Sequence, residues 1–449
     1  MQKKLDKELK LRESSRIAVI GGGPAGSFFA VFAFDLAREK GIELEIDVFE
    51  PKNFNDTGVQ GCNHCGGIVS ESLVRMLKTD GIVLPPQVIR RGIESYTLHF
   101  ENGETVIDSL LHEHRIVSMF RGSGPPGQSN PAIESFDGYL QELCAKKGTK
   151  IIHEKVTALK RVPDGITLET ATLKRKYDLV VGAVGLNPGS LKLFQEIIPA
   201  YLPPQTTKTY ISEYYLENSA ISKHFGNSMH VFLLNLPGIK FGALIPKGNY
   251  VTLVLLGSGI NAEMVNQFVT SMTVKACFPE GTELKSINPC MCYPYISIKN
   301  AENPYDDRVV LIGDSASTKL YKNGIGAAYI TAKAAADAAI NRGISKKDFK
   351  KSYQPVCSGI DRDNAVGKLI FYGTSFIQRS AFLKSVLFKM VDKEQSRERG
   401  QREVSLLLWD TFTGSAPYRK IFRRSFKLFI LLAWIRNIIT ELLKPTGKA

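Results

Sequence analysis

Near its amino end the chain gathers apolar residues into short unbroken runs; further on it alternates them. Ile17 to Ile20 is a four-residue apolar run of the length of a buried strand. It leads into Gly21-x-Gly23-x-x-Gly26, and the alanine- and phenylalanine-rich segment that follows predicts a helix over 25–40. A second strand is expected over Leu44 to Phe49, ending on Glu50. Beyond a polar loop at 51–67, a helix is predicted over 70–77. Ile93 to Phe100 and Glu104 to Ile107, joined at Asn102-Gly103, read as a β-hairpin. A helix over 136–147, a strand over 149–156 and a buried run at 177–185 follow. From Thr206 the spacing becomes that of strands separated only by turns: 209–215, 230–235, 241–245 and 251–256. Arg308 to Asp314 is another apolar strand, followed by an alanine-rich helix over 326–340, and the remainder is helical.

The amino-terminal pattern is a βαβ unit with glycines where close backbone approach is needed. Gly21 permits the turn, Gly23 lets the main chain approach a pyrophosphate, and Gly26 lets helix and strand pack together. The helix then starts at Pro24 and Ala25 with its positive end toward the phosphates. Glu50 sits where an acidic side chain accepts from an adenosine ribose hydroxyl. A dinucleotide site is therefore expected at Gly21, Gly23, Pro24, Ala25, Gly26 and Glu50. A second GxGxxG is absent, so one dinucleotide is held permanently.

Composition narrows the class. The 449 residues, 43% apolar and 23% charged, suffice for two or three units with sizeable cores. The net charge of +14 is concentrated in the last ~100 residues beside apolar helices, a pattern suited to an anionic membrane surface. No nucleic-acid-binding motif accompanies it, so nucleic acid is not an expected partner. Seven cysteines, an odd count, and a charged start without an apolar signal core point to a reducing, cytoplasmic setting.

A late strand ending in Gly313-Asp314 is not part of a simple nicotinamide dehydrogenase. It suits a flavin: Asp314 toward a ribityl or ribose hydroxyl, and the helix after Asn323-Gly324-Ile325-Gly326 with its positive end at the N1/O2 edge of the ring. At these points the chain resembles FAD proteins of the p-hydroxybenzoate-hydroxylase type, and among them the geranylgeranyl reductase family. The resemblance runs over roughly 15–345, with an echo at Leu408-Trp-Asp-Thr-Phe-Thr-Gly414. It rests on Gly21-x-Gly23-x-x-Gly26, Cys65-Gly66-Gly67, Phe136-Asp-Gly-Tyr-Leu140, Gly313-Asp-Ser-Ala316 and Asn323-Gly-Ile-Gly326. It implies FAD as cofactor, the Cys65-Gly66-Gly67 loop beside the isoalloxazine, and reduction of carbon–carbon double bonds in polyprenyl chains. Two motifs depart from the family. Gly-Ala-Asp-Gly stands as Gly182-Ala-Val-Gly185, and the aromatic Tyr-x-Trp-x-Phe-Pro stands as Phe241-Gly-Ala-Leu-Ile-Pro246.

The cysteines admit three readings: a redox dithiol of Cys62 and Cys65; a metal site joining them with His64, Cys290 and Cys292; or a small residue, Cys65, packed beside the flavin. Cys65 is the candidate catalytic residue, and no metal ligand is assigned. Arg121 is a candidate for a phosphate or a reduced flavin. His230, Tyr210, Tyr214 and Tyr215 could present a proton donor from the substrate sheet, and none is singled out.

At the carboxyl end, 421–444 predicts one helix with Arg423, Lys427, Asn437, Glu441 and Lys444 on one side. Leu428, Leu431, Leu432, Ile435, Ile439 and Leu442 lie on the rest, around Trp434. The unbroken apolar run, Leu428 to Ile435, is far short of the ~18 residues that cross a bilayer. The profile is that of a helix lying in the membrane interface, with Arg419, Lys420, Arg423 and Arg424 toward the headgroups.

The expected fold is mixed α/β: a Rossmann-like FAD-binding domain (14–83, 121–200, 299–345), an inserted antiparallel β substrate domain (84–120, 201–298) and a basic helical carboxyl-terminal region (346–449). The expected activity is a FAD-dependent reduction of a polyprenyl group at the cytoplasmic face of a membrane. NAD(P)H or a ferredoxin-like carrier is the transient electron donor, and the substrate is a lipid-like small molecule. Two other activities suit the same pattern: a monooxygenase on an aromatic or quinoid substrate, and an electron-transfer subunit of a membrane complex.

Overall fold

The computed structural model describes residues 9–62, 65–101, 103–109, 116–125, 135–282, 284 and 290–443. His64, Asn102 and Lys444, named above, lie outside them. The chain divides into two compact units. The first comprises Met1–Asn63, Arg121–Thr206 and Ile296–Arg362; the second comprises His64–Phe120, Thr207–Tyr295 and Asp363–Ala449.

The first unit is built on a six-stranded sheet. Its order is Tyr305–Asp306, Val309–Leu311, Leu179–Gly182, Ser15–Ile20, Leu44–Phe49, Lys150–Ile152. All neighbours are parallel except the antiparallel edge strand at Tyr305. Residues 17–20, 179–181 and 309–311 are continuous Ile, Val, Leu and Ala because both faces are covered. One face is covered by helices and the other by the helix Pro188–Ile197 with a small antiparallel sheet, so no alternation is needed there. The helix Pro24–Glu39 opens on proline and buries Phe28, Phe29, Val31 and Ala33. It packs against the helix Gly324–Asp337, whose small alanines let the two approach: Phe28 and Phe32 meet Tyr329 edge-on at 5.5 and 5.3 Å. The strand expected over 149–156 is only Lys150–Ile152. A small antiparallel sheet at 158–177, turning at Asp164-Gly165, follows it; the alternation there was not read from the sequence.

The second unit carries a seven-stranded sheet. Its order is Cys290–Cys292, Tyr210–Tyr215, Tyr250–Gly257, Ile239–Lys247, Ser228–Phe232, Ser95–Phe100, Gly103–Asp108. The hairpin of Ser95–Phe100 and Gly103–Asp108 is antiparallel as expected. The strands after Thr206 are not separated only by turns: Asn218–His224 is a helix. One sheet face builds an apolar core from Tyr210, Tyr214, Leu244, Leu253, Leu255, Phe232, Phe268 and Phe278. The opposite face presents Ile211, Glu213, Thr252, Val254, Ala243, Ile245 and Lys247, as strand alternation requires.

The carboxyl-terminal segment is two helices rather than the one expected over 421–444. Tyr418–Ser425 ends at Phe426, and extended Lys427 precedes Leu428–Leu442. The first is capped from a distance: the Asp363 carboxylate accepts from the backbone N–H groups of Tyr418 and Arg419, both at 3.0 Å. Arg424 pairs with Asp410 before the break, and Lys427 with Glu403 at it.

Candidate functional site

In the first unit the three glycine signals, far apart in sequence, meet. A Cβ on Gly26 would stand 1.9 Å from the Gly21 carbonyl oxygen, so only glycine lets this helix start against the strand. Gly21 in turn lies against the Ala183 carbonyl of the Gly182–Gly185 run. A Cβ on Gly313 would come 2.8 Å from Cβ of Ala25 and 3.9 Å from Cβ of Ala328. The end of the late strand therefore touches the start of the fingerprint helix.

Gly23 is the N-cap of Pro24–Glu39 and no side chain caps it, so the first-turn N–H groups are offered to a ligand. Glu50 is buried beside this turn. Its Oε2 accepts from Gly22 N–H at 2.9 Å and Oε1 from Lys52 N–H at 3.0 Å. Burial raises its pKa against the lowering effect of those two bonds. Arg121 completes this end. It is held by Asp137, whose side chain is fully buried, through Nε to Oδ1 at 3.0 Å and Nη2 to Oδ2 at 2.7 Å. Its Nη2 would be 3.1 Å from a Cβ on Gly23. A guanidinium fixed over the glycine turn matches a pyrophosphate, the role expected of a phosphate-side arginine. The Phe136–Leu140 motif thus supplies, through Asp137, what orients Arg121.

At the other end, Gly313–Ser315 is a single tight turn that exposes Asp314 partway. Asn323, left-handed at φ 54°, caps Gly324–Asp337 by accepting from Gly326 N–H at 3.0 Å. A Cβ on Gly324 would lie 3.8 Å from Asp314 Oδ1, so the acid and the positive helix end at Gly324, Ile325 and Gly326 are adjacent. At one end, uncapped N–H groups with an arginine suit a phosphate; at the other, an acid lies beside a second helix start.

In the second unit Cys65-Gly66-Gly67 lies on the sheet face opposite the apolar core. A Cβ on Gly66 would be 3.1 Å from Val254 Cγ2 and 3.7 Å from Ile245 Cδ1. Gly67 has φ 70°, and a Cβ there would strike the Met119 carbonyl oxygen at 1.9 Å. Gly67 N–H donates to Cys65 Sγ at 3.3 Å, folding the thiol back on the turn. Beneath the loop is a group that sequence reading missed. Lys247, wholly buried, pairs with Glu213 at 3.2 Å and stands 4.5 Å above the Phe120 ring. Thr252 Oγ1 donates to Glu213 Oε2 at 2.6 Å. The signal was available: Lys247 continues the Phe241, Ala243, Ile245 alternation.

The same face is closed by the helix Glu403–Thr413, the family echo. Trp409 meets Tyr96 edge-on at 4.9 Å and donates to Glu71 at 3.5 Å; Phe412 stacks on Phe241 at 5.8 Å. Burial raises the Glu71 pKa, which the bonds from Ser109 and Trp409 only partly offset.

Strand parity sorts the candidate proton donors. Tyr210 and Tyr214 belong to the apolar core on the far face from the Cys65 loop, and His230 contacts Phe225 of that core; strand parity turns them away. Tyr215 is the exception and is exposed at the sheet edge, 5.5 Å from Tyr250. Cys290–Cys292 is an edge strand paired with Ile211 and Glu213. Among the described residues, Cys65, Cys290 and Cys292 do not gather as metal ligands, and no disulfide joins the cysteines. Cys62, in the first unit, has its carbonyl bound by Lys52 Nζ at 2.6 Å.

No protein-family model matches the chain. The chain is 27% identical over 352 residues to geranylgeranyl diphosphate reductase of Synechocystis, covering 71% of this chain and 73% of that one. A geranylgeranyl bacteriochlorophyll reductase-like protein of Thermoplasma acidophilum superposes with a TM-score of 0.64 at 14% identity, over 92% of this chain and 99% of that one. A halogenase solved in complex with FAD gives 0.57 at 12%, over 91% and 85%. The fold is that of the FAD-binding oxidoreductases of the p-hydroxybenzoate-hydroxylase type. The resemblance to geranylgeranyl reductases read from the sequence is borne out by these similarities.

Proposed function

We propose that this oxidoreductase saturates carbon–carbon double bonds of a polyprenyl chain carried by a membrane lipid. The observation that carries the reading is the apolar sheet face of Phe241, Ala243, Ile245 and Val254, on which the Cys65-Gly66-Gly67 loop rests. Such a face offers a hydrocarbon chain contact without unmet hydrogen bonds. FAD in its reduced form, when bound, would supply a hydride to one alkene carbon while a proton from solvent goes to the other. Gly21, Gly23, Pro24, Ala25, Gly26 and Arg121 hold its pyrophosphate, and Glu50 and Asp314 accept from its hydroxyls. Gly324, Ile325 and Gly326 direct a positive helix end to the ring. Cys65, Gly66 and Gly67 keep the flavin-side role that the resemblance assigns them. Electrons come from NAD(P)H or a ferredoxin-like carrier.

The carboxyl-terminal helix supports work at a membrane's cytoplasmic face. Its polar residues turn inward: Asn437 is buried and accepts from Lys393 at 3.4 Å, and Glu441 pairs with Lys389 and accepts from Ser385 at 2.9 Å. Leu428, Leu432, Ile435, Ile439 and Leu442 are left exposed, with Trp434 half-buried. An outward apolar face among exposed Arg419, Lys420, Arg423 and Arg436 suits an anionic interface. Arg424, expected at the headgroups, instead pairs with Asp410. Among the described residues no helix is long and apolar enough to cross a membrane.

The test is to reduce the flavin-loaded protein chemically, without oxygen, and add geranylgeranyl lipids in anionic vesicles. A mass gain of two hydrogens per double bond is expected. Unchanged lipid, with oxygen-dependent hydroxylation of an aromatic compound instead, would overturn the reading.

A further inference from the structure

We propose that His99, His230 and Cys277 hold a single structural zinc ion in the second unit, a site independent of the flavin chemistry. His99 and His230 lie on the neighbouring parallel strands Ser95–Phe100 and Ser228–Phe232. Thr97 and Ser228 hydrogen-bond at 2.8 Å one step along, so this row shares one face of the sheet. Cys277 comes from the turn after the short helix Met272–Lys275. His99 Nε2 is 2.9 Å from His230 Nδ1 and 3.8 Å from Cys277 Sγ, and all three donor atoms lie within 4.8 Å of one another. Tetrahedral zinc with ordinary bond lengths separates two nitrogens by roughly 3.3 Å and nitrogen from sulfur by roughly 3.6 Å. The observed spacings need shifts of only a few tenths of an ångström on those two pairs.

The surroundings match a metal centre in two further ways. His99 turns its other nitrogen, Nδ1, to Glu104 Oε2 at 3.1 Å, the carboxylate partner that fixes a ligating imidazole with its Nε2 lone pair inward. The Zn2+ charge is balanced by the Cys277 thiolate and the Glu104 carboxylate, so no net charge is left beside Phe225, Phe232 and Phe278. Binding displaces the Cys277 proton to solvent as the Zn–S bond forms. The apolar walls make the ion a clamp joining two strands to the Cys277 turn.

The experiment uses the full chain, purified with its flavin from zinc-supplemented cells. Elemental analysis should give about one zinc per chain, lost in Cys277→Ser and His230→Gln and retained in Cys290→Ser. Replacement by Co2+ should give an intense thiolate-to-cobalt band in the near ultraviolet, also lost in Cys277→Ser. If those variants do not fold, Cys277 in the wild-type chain should resist thiol reagents until a chelator is added. Less than about a tenth of an equivalent of zinc with no cobalt band would overturn the site. Copper in place of zinc, or metal that persists in Cys277→Ser, would do so too.

Discussion

Lys247 and Glu213 form a buried ion pair, 3.2 Å apart, directly under the Cys65-Gly66-Gly67 turn. They are far apart in sequence: Glu213 lies in the strand read at 209–215, and Lys247 lies just past the one read at 241–245. Removing one partner leaves the other charged and without its partner in a low-dielectric setting, at a cost of about 3–5 kcal/mol. Lys247→Met should lower unfolding free energy by that amount in urea titration, and Lys247→Met with Glu213→Gln should recover most of it. A double variant no more stable than the single one would refute the pairing.

Gly67 and Gly41 share a left-handed backbone, at φ 70° and 66°, but differ in surroundings. Nothing lies within 4 Å of a Cβ on Gly41, whereas one on Gly67 meets a carbonyl oxygen at 1.9 Å. Gly41→Ala should cost about 1 kcal/mol from backbone strain alone. Gly67→Ala should cost clearly more, because the Met119 strand end must move. Equal melting-temperature losses would contradict this.

Gly26→Ala should separate folding from cofactor loading. Its Cβ forces the helix start away from Gly21, so the first-turn N–H groups lose their aim. The purified variant should be colourless or weakly yellow, with circular dichroism close to the parent. Full visible flavin absorbance would count against the assignment.

Glu50 gives a pH signature. Its folded pKa is raised by burial, so between the ordinary carboxylate value and the folded one the native state holds a proton that the unfolded chain has lost. Stability is then greatest at acid pH and falls as pH rises through the folded pKa. In the flavin-free protein, Glu50→Gln should remove this component, so the wild type minus variant difference declines with rising pH in denaturant titrations. The same variant should weaken FAD binding about tenfold, the worth of roughly one hydrogen bond.

Leu432→Glu with Ile435→Glu should reduce co-sedimentation with anionic vesicles at least tenfold, since two exposed apolar side chains are replaced by like charge. Turnover of a short, water-soluble prenyl alcohol should be unchanged. Loss of both together would mean that the helix supports the fold rather than the membrane.

Much of the cofactor cradle was legible because its physics is local. A glycine turn between an apolar strand and a helix, an acid one strand later, and Gly-Asp before an alanine-rich helix each declare themselves within a few residues. The substrate face was less legible. Val254 and Ala243 could be read as strand residues, but which face meets the Cys65 loop depends on pairing partners distant in the chain. That choice moved Tyr210, Tyr214 and His230 to the core and brought Lys247 and Glu213 to the loop.

The sequence by itself determined the βαβ unit, the flavin class and the basic, apolar carboxyl end, because periodicity and glycine spacing act over short range. Only the tertiary structure decided that Asp137 orients Arg121, that Gly313 meets Ala25, and that Asn437 and Glu441 face inward while leucines face out. Those relations follow from packing between segments far apart in sequence. A helix pattern shows that two faces differ, but the neighbouring helix Ala381–Gln395, with Lys389 and Lys393 ready to pair, settles which one is buried.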